Sequence, residues 1–446
     1  MMYKERLTEH LLEAGMRKAM LPVVTFALGA VVALTVWRTP AVQGQGSPAA
    51  GFAAVPGAIG SQDLTGPYEV VKDWPKDIST VPGNEKWTYG AGQGVFAESP
   101  DRVYYIQRGS LPVIPPQGRG GKPIEAPHVA PNLAFPVANL WRNATGASPP
   151  GSLFKPGTEV AGDDSDAGVA GTDFLWENCI LVINRNGDII ENWTQWDKML
   201  RRPHSVYISP YDPQKHVYVV DDYRHAIFKF TNDGKQLVQT IGTPTVPGAD
   251  ATHFNRPTFM AWDPDGNFYV ADGYNGTRVA KFDGTGKFLL DWGEKGEPGK
   301  ETRPNYMNNV HGIAVDPVTR RVYVNDRANH RIQIFDQDGT YLSEWAIKVR
   351  PSSLHLLYMG QDRMLWTFDR DTQKLVKYDL EGRLQYAWGA IGDFPGTLWG
   401  VHGMSVDQDG NFYVAEVDSG RVQKFRPRAG ANPDFMVGKP VYAAWQ

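Results

Sequence analysis

RPTFMAWDPDGNFYVADGYNGTRVAKFDGTGKFLLDWG, Arg256 to Gly293, holds the whole pattern of this chain in one copy. An apolar run leads to a DPDG turn. A second run ends in Asp272, an R-x-x-K-F run follows, and after a D-G turn a last run closes on Trp-Gly. Alternating apolar residues between Gly, Asp and Asn turns describe short antiparallel strands. The unit recurs, with starts at His204 (RRPHSVYI), Thr258, His311 (NNVHGIAV), Ser352 (RPSSLHLLYMGQDRMLWTFDRD) and His402 (WGVHGMSV). Read without an insertion, the fifth start shifts to His355. Four strands at a period of roughly 40–55 residues predict propeller blades.

Five starts give five blades. GQGVFAESPDRVYYIQR (92–108) followed by CILVINRNGDIIENW (179–193) supplies a sixth, and the tail MVGKPVYAAWQ (436–446) offers an outer strand to close the ring. The fold class expected is therefore all-β, a six-bladed β-propeller over 87–446. Blade one carries an insertion over 109–177 that is rich in Pro and Gly. Loops of that length are functional or solvated. A lid and a partner-binding insert are both open readings.

Three of the starts are histidines, and each skips one repeat before the next. Equivalent positions in a closed ring converge on its axis, so alternate blades of six would bring three imidazoles together. That is a three-histidine metal site with an open coordination position, suited to zinc. The single cysteine, Cys179, excludes both a disulfide framework and a cysteine metal cluster. The acids Asp222, Asp272, Asp326, Asp369 and Glu416 end a strand in each of these repeats. Recurrence argues for structure, and hydrogen bonds to the N–H groups of the following turn are expected. Residues that do not recur are more telling: Tyr274 just beyond one acid, Arg327 beside another, and Arg108 at the end of YYIQR.

The 446 residues include 47 Gly, 14 Trp, 19 Tyr and 19 Phe, a load that suits a turn-rich β protein. A formal charge of -4 gives no electrostatic case for nucleic acid. Leu21 to Trp37 is uncharged, with Arg17 and Lys18 on its N-terminal side. We read 1–20 as a cytoplasmic segment, 21–37 as a transmembrane or signal-anchor helix and 38–86 as a tether. The positive-inside bias then puts the propeller outside the cytoplasm, anchored to the membrane, or secreted if the segment is cleaved.

From about Trp87 to Phe425 these motifs resemble the peptidyl-α-hydroxyglycine α-amidating lyases, six-bladed propellers with NHL-like repeats. YYIQRG, CILVINRNGDII leading into RRPHSV, VADGYNGTRV, VHGIAV with VNDRANHRIQIF, and VHGMSV carry the likeness. The resemblance implies zinc on His204, His311 and His402, with Tyr274 as general base. It also implies Arg108 as the active-site arginine and Arg327 as a carboxylate ligand. It implies cleavage of an N-acyl- or peptidyl-α-hydroxyglycine to an amide and glyoxylate. A small peptide or N-acyl-glycine derivative would be the substrate, hydroxylated by a separate monooxygenase. The family's calcium is associated with an Asp directly after the third histidine. Gly403 stands there in this chain, which leaves zinc the better supported ion. Two readings compete: a membrane-tethered propeller that only binds a partner, and a metal-dependent, lactonase-like hydrolase.

Overall fold

The computed structural model describes residues 53–58, 62–113, 171, 174–347, 352–392, 394–441 and 443–445. The segment 21–37 and most of the insertion lie outside them. Among the described residues no helix is long and apolar enough to cross a membrane.

Six four-stranded antiparallel sheets follow one another along the chain. Their inner strands are Trp87–Ser99, Pro203–Ile208, Pro257–Trp262, Val310–Val315, Leu354–Met359 and Val401–Val406. Each packs on the next, and the sixth packs back on the first. The ring is therefore closed, with six blades, as the repeat count predicts. Inner and second strands are buried almost throughout, because every sheet is covered by a neighbour on both faces. Only the outer strands alternate, as in Phe288–Trp292, where exposed and half-buried residues precede a buried Trp292.

The turns are built by their aspartates. Asp263 Oδ1 accepts from the N–H groups of Asp265 and Asn267, and Gly266 sits at a φ of +84°. Tyr269 then donates its hydroxyl to Asp263 Oδ2 at 2.9 Å. Blade six repeats this arrangement with Asp407, Asn411, Gly410 and Tyr413. Side chains that bond their own backbone a few residues on favour turns over a continued strand.

Three expectations need correction. First, ring closure does not use the tail. Tyr68–Val70 is the outer strand of blade six, paired antiparallel with Arg421–Pro427. The stretch from Gln62, read as tether, thus belongs to the propeller. The tail instead crosses the far mouth of the channel. Gln361 N–H donates to Lys439 O, Ala444 N–H to Pro210 O, and Trp445 Nε1–H to Ser209 O. Second, the recurrent acid of blade two is Asp221, not Asp222, since Asp221 pairs with Ala226 as Asp272 pairs with Arg278. Third, these acids bind backward as well as to the following turn, where Asp221 accepts from Arg224 N–H and Asp369 from Asp371 N–H as expected. Asp272 accepts from Asn255 N–H, Asp326 from Asn308 N–H and Glu416 from Trp399 N–H, all just ahead of an inner strand. The other oxygens of Asp272 and Asp326 take Arg278 and Arg331 from the third strand, while Arg421 donates to the same Glu416 oxygen as Trp399 N–H. Blade one has no acid there; Gln107 accepts from Gly90 N–H in its place. The ends of the insertion also join the sheet, where Ser110 bridges Leu175.

Candidate metal centre

Every inner strand breaks register at the same point. The breaks fall between Gly92 and Gly94, Pro203 and Ser205, Pro257 and Met260, Val310 and Ile313, Leu354 and Leu357, and Val401 and Gly403. A bulge re-aims a side chain, and such bulges gather next to functional sites. The residues so placed are Gln93, His204, Thr258, His311, His355 and His402. His355 therefore holds the fifth position, and Ser352 does not.

His204, His311 and His402 each offer one ring nitrogen, and the three atoms lie within 4.8 Å of one another. Each ring is fixed by the next blade. His204 Nδ1 donates to Thr258 O at 2.9 Å, His311 Nδ1 to His355 O at 2.6 Å, and His402 Nδ1 to Gln93 O at 2.8 Å. A carbonyl can only accept, so Nδ1 carries the proton and Nε2 keeps its lone pair. Burial pushes all three pKa values down, that of His402 to about 3, so the imidazoles are neutral near pH 7. Three buried, neutral, pre-oriented imidazoles fit a zinc-like divalent ion.

Phe259 forms the floor. Its ring stands 5.0 Å from those of His204 and His311 and 5.4 Å from that of His402. Below it a cavity of about 40 Å³ and then one of about 140 Å³ continue to the mouth crossed by the tail. Gly403 has no room for a side chain there: a Cβ would meet Gly94 Cα at 2.7 Å and Val95 N at 2.9 Å.

Tyr274 closes the other side. Its hydroxyl oxygen lies 3.1 Å from His204 Nε2 and 3.0 Å from His311 Nε2. Two guanidinium groups approach its ring, Arg256 at 4.7 Å and Arg327 at 5.5 Å from the centroid. Both distances are within cation–π reach. Arg256 is held by the buried carboxylate of Asp222, through Nε at 3.0 Å and Nη2 at 2.6 Å. Arg108 is 2% exposed, and burial together with the nearby charge of Arg202 pulls its pKa down to about 9. Its electrostatic partners include Tyr274 and Asp222. Arg327 is also lowered by burial, opposed by Tyr274. All six residues singled out in the sequence thus converge on one end of the axis. His355, Gln93, Phe259, Arg256 and Arg370 were not among them. Arg370 follows the acid of blade five as Arg327 follows that of blade four, and it acts electrostatically on His355 and His402. That shared offset was the one signal able to find it.

The NHL repeat model matches residues 307–335 and 398–425, which fall in blades four and six. Peptidyl-glycine alpha-amidating monooxygenase A of Xenopus laevis is 27% identical over 269 residues, 57% of this chain and 27% of that protein. Peptidyl-alpha-hydroxyglycine alpha-amidating lyase 1 of Drosophila melanogaster is 28% identical over 278 residues, 58% of this chain and 50% of that one. NHL repeat-containing protein 3 of Mus musculus is 27% identical over 278 residues, 57% of this chain and 75% of that one. The matched region spans about a quarter of the Xenopus protein and half of the Drosophila one. The chain is a six-bladed propeller with NHL-repeat matches in blades four and six, homologous to proteins named as peptidyl-α-hydroxyglycine α-amidating lyases.

Proposed function

We propose that the protein is a zinc-dependent lyase that cleaves an N-acyl- or peptidyl-α-hydroxyglycine to an amide and glyoxylate. The observation that carries this reading is the meeting of three buried imidazole nitrogens with the Tyr274 hydroxyl. His204, His311 and His402 would hold the zinc, which supplies, when bound, a concentrated positive charge beside the substrate hydroxyl.

The chain's own groups account for the rest. Tyr274 accepts the carbinol proton. Arg108 and Arg327 place positive charge beside its ring, where negative charge develops as the proton moves. As the C–N bond breaks, the carbinol carbon becomes the aldehyde of glyoxylate. The departing amide nitrogen takes the proton back from Tyr274, so atoms and charge balance. Arg327 pairs with the substrate carboxylate, for which a guanidinium fork is well shaped.

A lactonase-like hydrolase would want a carboxylate in the first set of ligands, and the donor group here is histidine alone among the described residues. The proposal extends to a separate monooxygenase as the source of the hydroxylated substrate. It extends also to a membrane anchor through 21–37, with the propeller outside the cytoplasm. The test is glyoxylate release from N-benzoyl-α-hydroxyglycine by the zinc-loaded chain. Release that depends on zinc and on Tyr274 supports the lyase; a zinc-loaded chain that releases none contradicts it.

A further inference from the structure

The six positions of the inner ring differ in how their polar atoms are used. The three metal-site histidines each spend Nδ1 on a backbone carbonyl. Thr258 donates its hydroxyl to Ala271 O at 2.9 Å or His311 O at 2.8 Å. Gln93 is different. It is fully buried, and neither its amide nitrogen nor its amide oxygen has a hydrogen-bond partner. Buried polar atoms are paired with few exceptions, so this amide marks a place where a polar group belongs.

His355 is also buried, and one of its ring nitrogens is partnered. It is 3% exposed, and its Nδ1 faces Val401 O at 3.4 Å, leaving Nε2 on the opposite edge of the ring. Its ring is 5.8 Å from that of His311 and 5.9 Å from that of His402, against 5.6 Å between those two. Gln93 stands on the blade between those of His402 and His204, and His355 on the blade between those of His311 and His402. The two groups with hydrogen-bonding capacity to spare therefore flank His402. Tyr274 sits on the other side, across His204 and His311.

We propose that Gln93, assisted by His355, forms an amide-recognition subsite on the His402 side of the ring. It takes the –CO–NH– group of the substrate and the –CO–NH2 group of the product. The chemistry is reciprocal: a carboxamide offers an acceptor and donors in one plane, and another amide matches both. An ester lacks the N–H and leaves the Gln93 oxygen unpaired, and a site built to hydrogen-bond discriminates most strongly against such an analogue. The inference rests on the lyase reading for the identity of the amide.

The experiment measures binding of benzamide and of methyl benzoate to the zinc-loaded full chain by calorimetry. The wild type is expected to prefer benzamide by tenfold or more. Gln93→Met, similar in volume and apolar, should bring the ratio close to one with zinc content and circular dichroism unchanged. His355→Phe should lower the ratio by about threefold. If Gln93→Met does not fold, Gln93→Leu takes its place, and it too should lose the preference for benzamide, since it offers no acceptor for the amide N–H. A wild type without preference, or a Gln93 variant that keeps it, overturns the subsite and leaves Gln93 to a buried water. Glyoxylate release on the same preparations separates the two claims. Release by a wild type with no amide preference sinks the subsite and spares the lyase. Preference for benzamide without release sinks the lyase and spares the subsite.

Discussion

Two rings of six positions run round this propeller, a few ångströms of sheet apart. One lies on the second strands, at their ends in five blades and within the longer strand of blade one: Gln107, Asp221, Asp272, Asp326, Asp369 and Glu416. The other lies at the bulges of the inner strands: Gln93, His204, Thr258, His311, His355 and His402. The first ring is nearly uniform, and each member does the same local work. It holds the N–H of the segment entering its own inner strand, as Asp221 holds that of Arg201 and Asp369 that of Ser353. The second ring is mixed, and its members matter through each other. A scaffold contact must be made once per blade, so a repeat makes it six times. A site on the axis is made once, so its residues must differ.

The comparison breaks most sharply if the wrong ring controls the metal. Changing His204, His311 or His402 to Ala should abolish stoichiometric zinc, read by elemental analysis of the purified chain, and with it glyoxylate release. Next comes Tyr274→Phe, which should keep zinc and lower kcat for glyoxylate release by about 10²–10⁴-fold, the range of a positioned acid–base group. Full activity would remove Tyr274 from its role. Asp326→Ala tests the uniform ring. Asp326 is fully buried, bonded to Arg331 at 2.9 Å and to Asn308 N–H at 2.8 Å. Its loss takes one carboxylate from Arg331, which keeps Glu344 at 2.8 Å, leaves Asn308 N–H without its acceptor, and should cost about 1–3 kcal/mol in denaturant unfolding. Zinc per folded molecule should be unchanged; a loss of zinc would merge the two rings into one.

The smallest effect concerns His225, which supports Arg256 from outside both rings by accepting its N–H at 3.1 Å. Burial depresses the His225 pKa to about 4. The unfolded chain takes up this proton near pH 6.5 while the folded chain refuses it until about pH 4. The contribution to stability is therefore full above about pH 6.5 and is lost as pH falls through that window. Thermal unfolding of metal-free protein should show it, with a shallower slope in His225→Asn, since Asn tolerates the left-handed φ of +54° at this site. An unchanged slope would mean that His225 is already charged in the fold.

The sequence was readable where one residue pattern meant one geometry. Turn aspartates, apolar runs and the spacing of the starts gave the blades, and three in-phase histidines pointed to the cluster of imidazoles on the axis. It was ambiguous, with His355 already an alternative to Ser352, where a shift of one to three residues was silent. RPSSLHLL imitates RPT and RPH closely enough to suggest Ser352, but the bulge between Leu354 and Leu357 puts His355 on the axis. The double acid Asp221–Asp222 has the same ambiguity, resolved only by strand register. Asp222 then proves to be a clamp on Arg256. Tyr68–Val70 was unreadable as a blade strand, because three residues carry no periodicity and their partner, Arg421–Pro427, lies more than 350 residues away. Gln93 was missed because glutamine in a β run draws no attention until its amide is seen buried without a partner.

The most direct test of the central claim is a zinc K-edge absorption spectrum of the purified chain, with metal content measured on the same sample. The account predicts one zinc per chain with three imidazole nitrogens at about 2.0–2.1 Å and lighter oxygen or nitrogen scattering in the remaining position. A chain without bound zinc, or zinc whose shell persists when His204, His311 and His402 are all replaced, would contradict it.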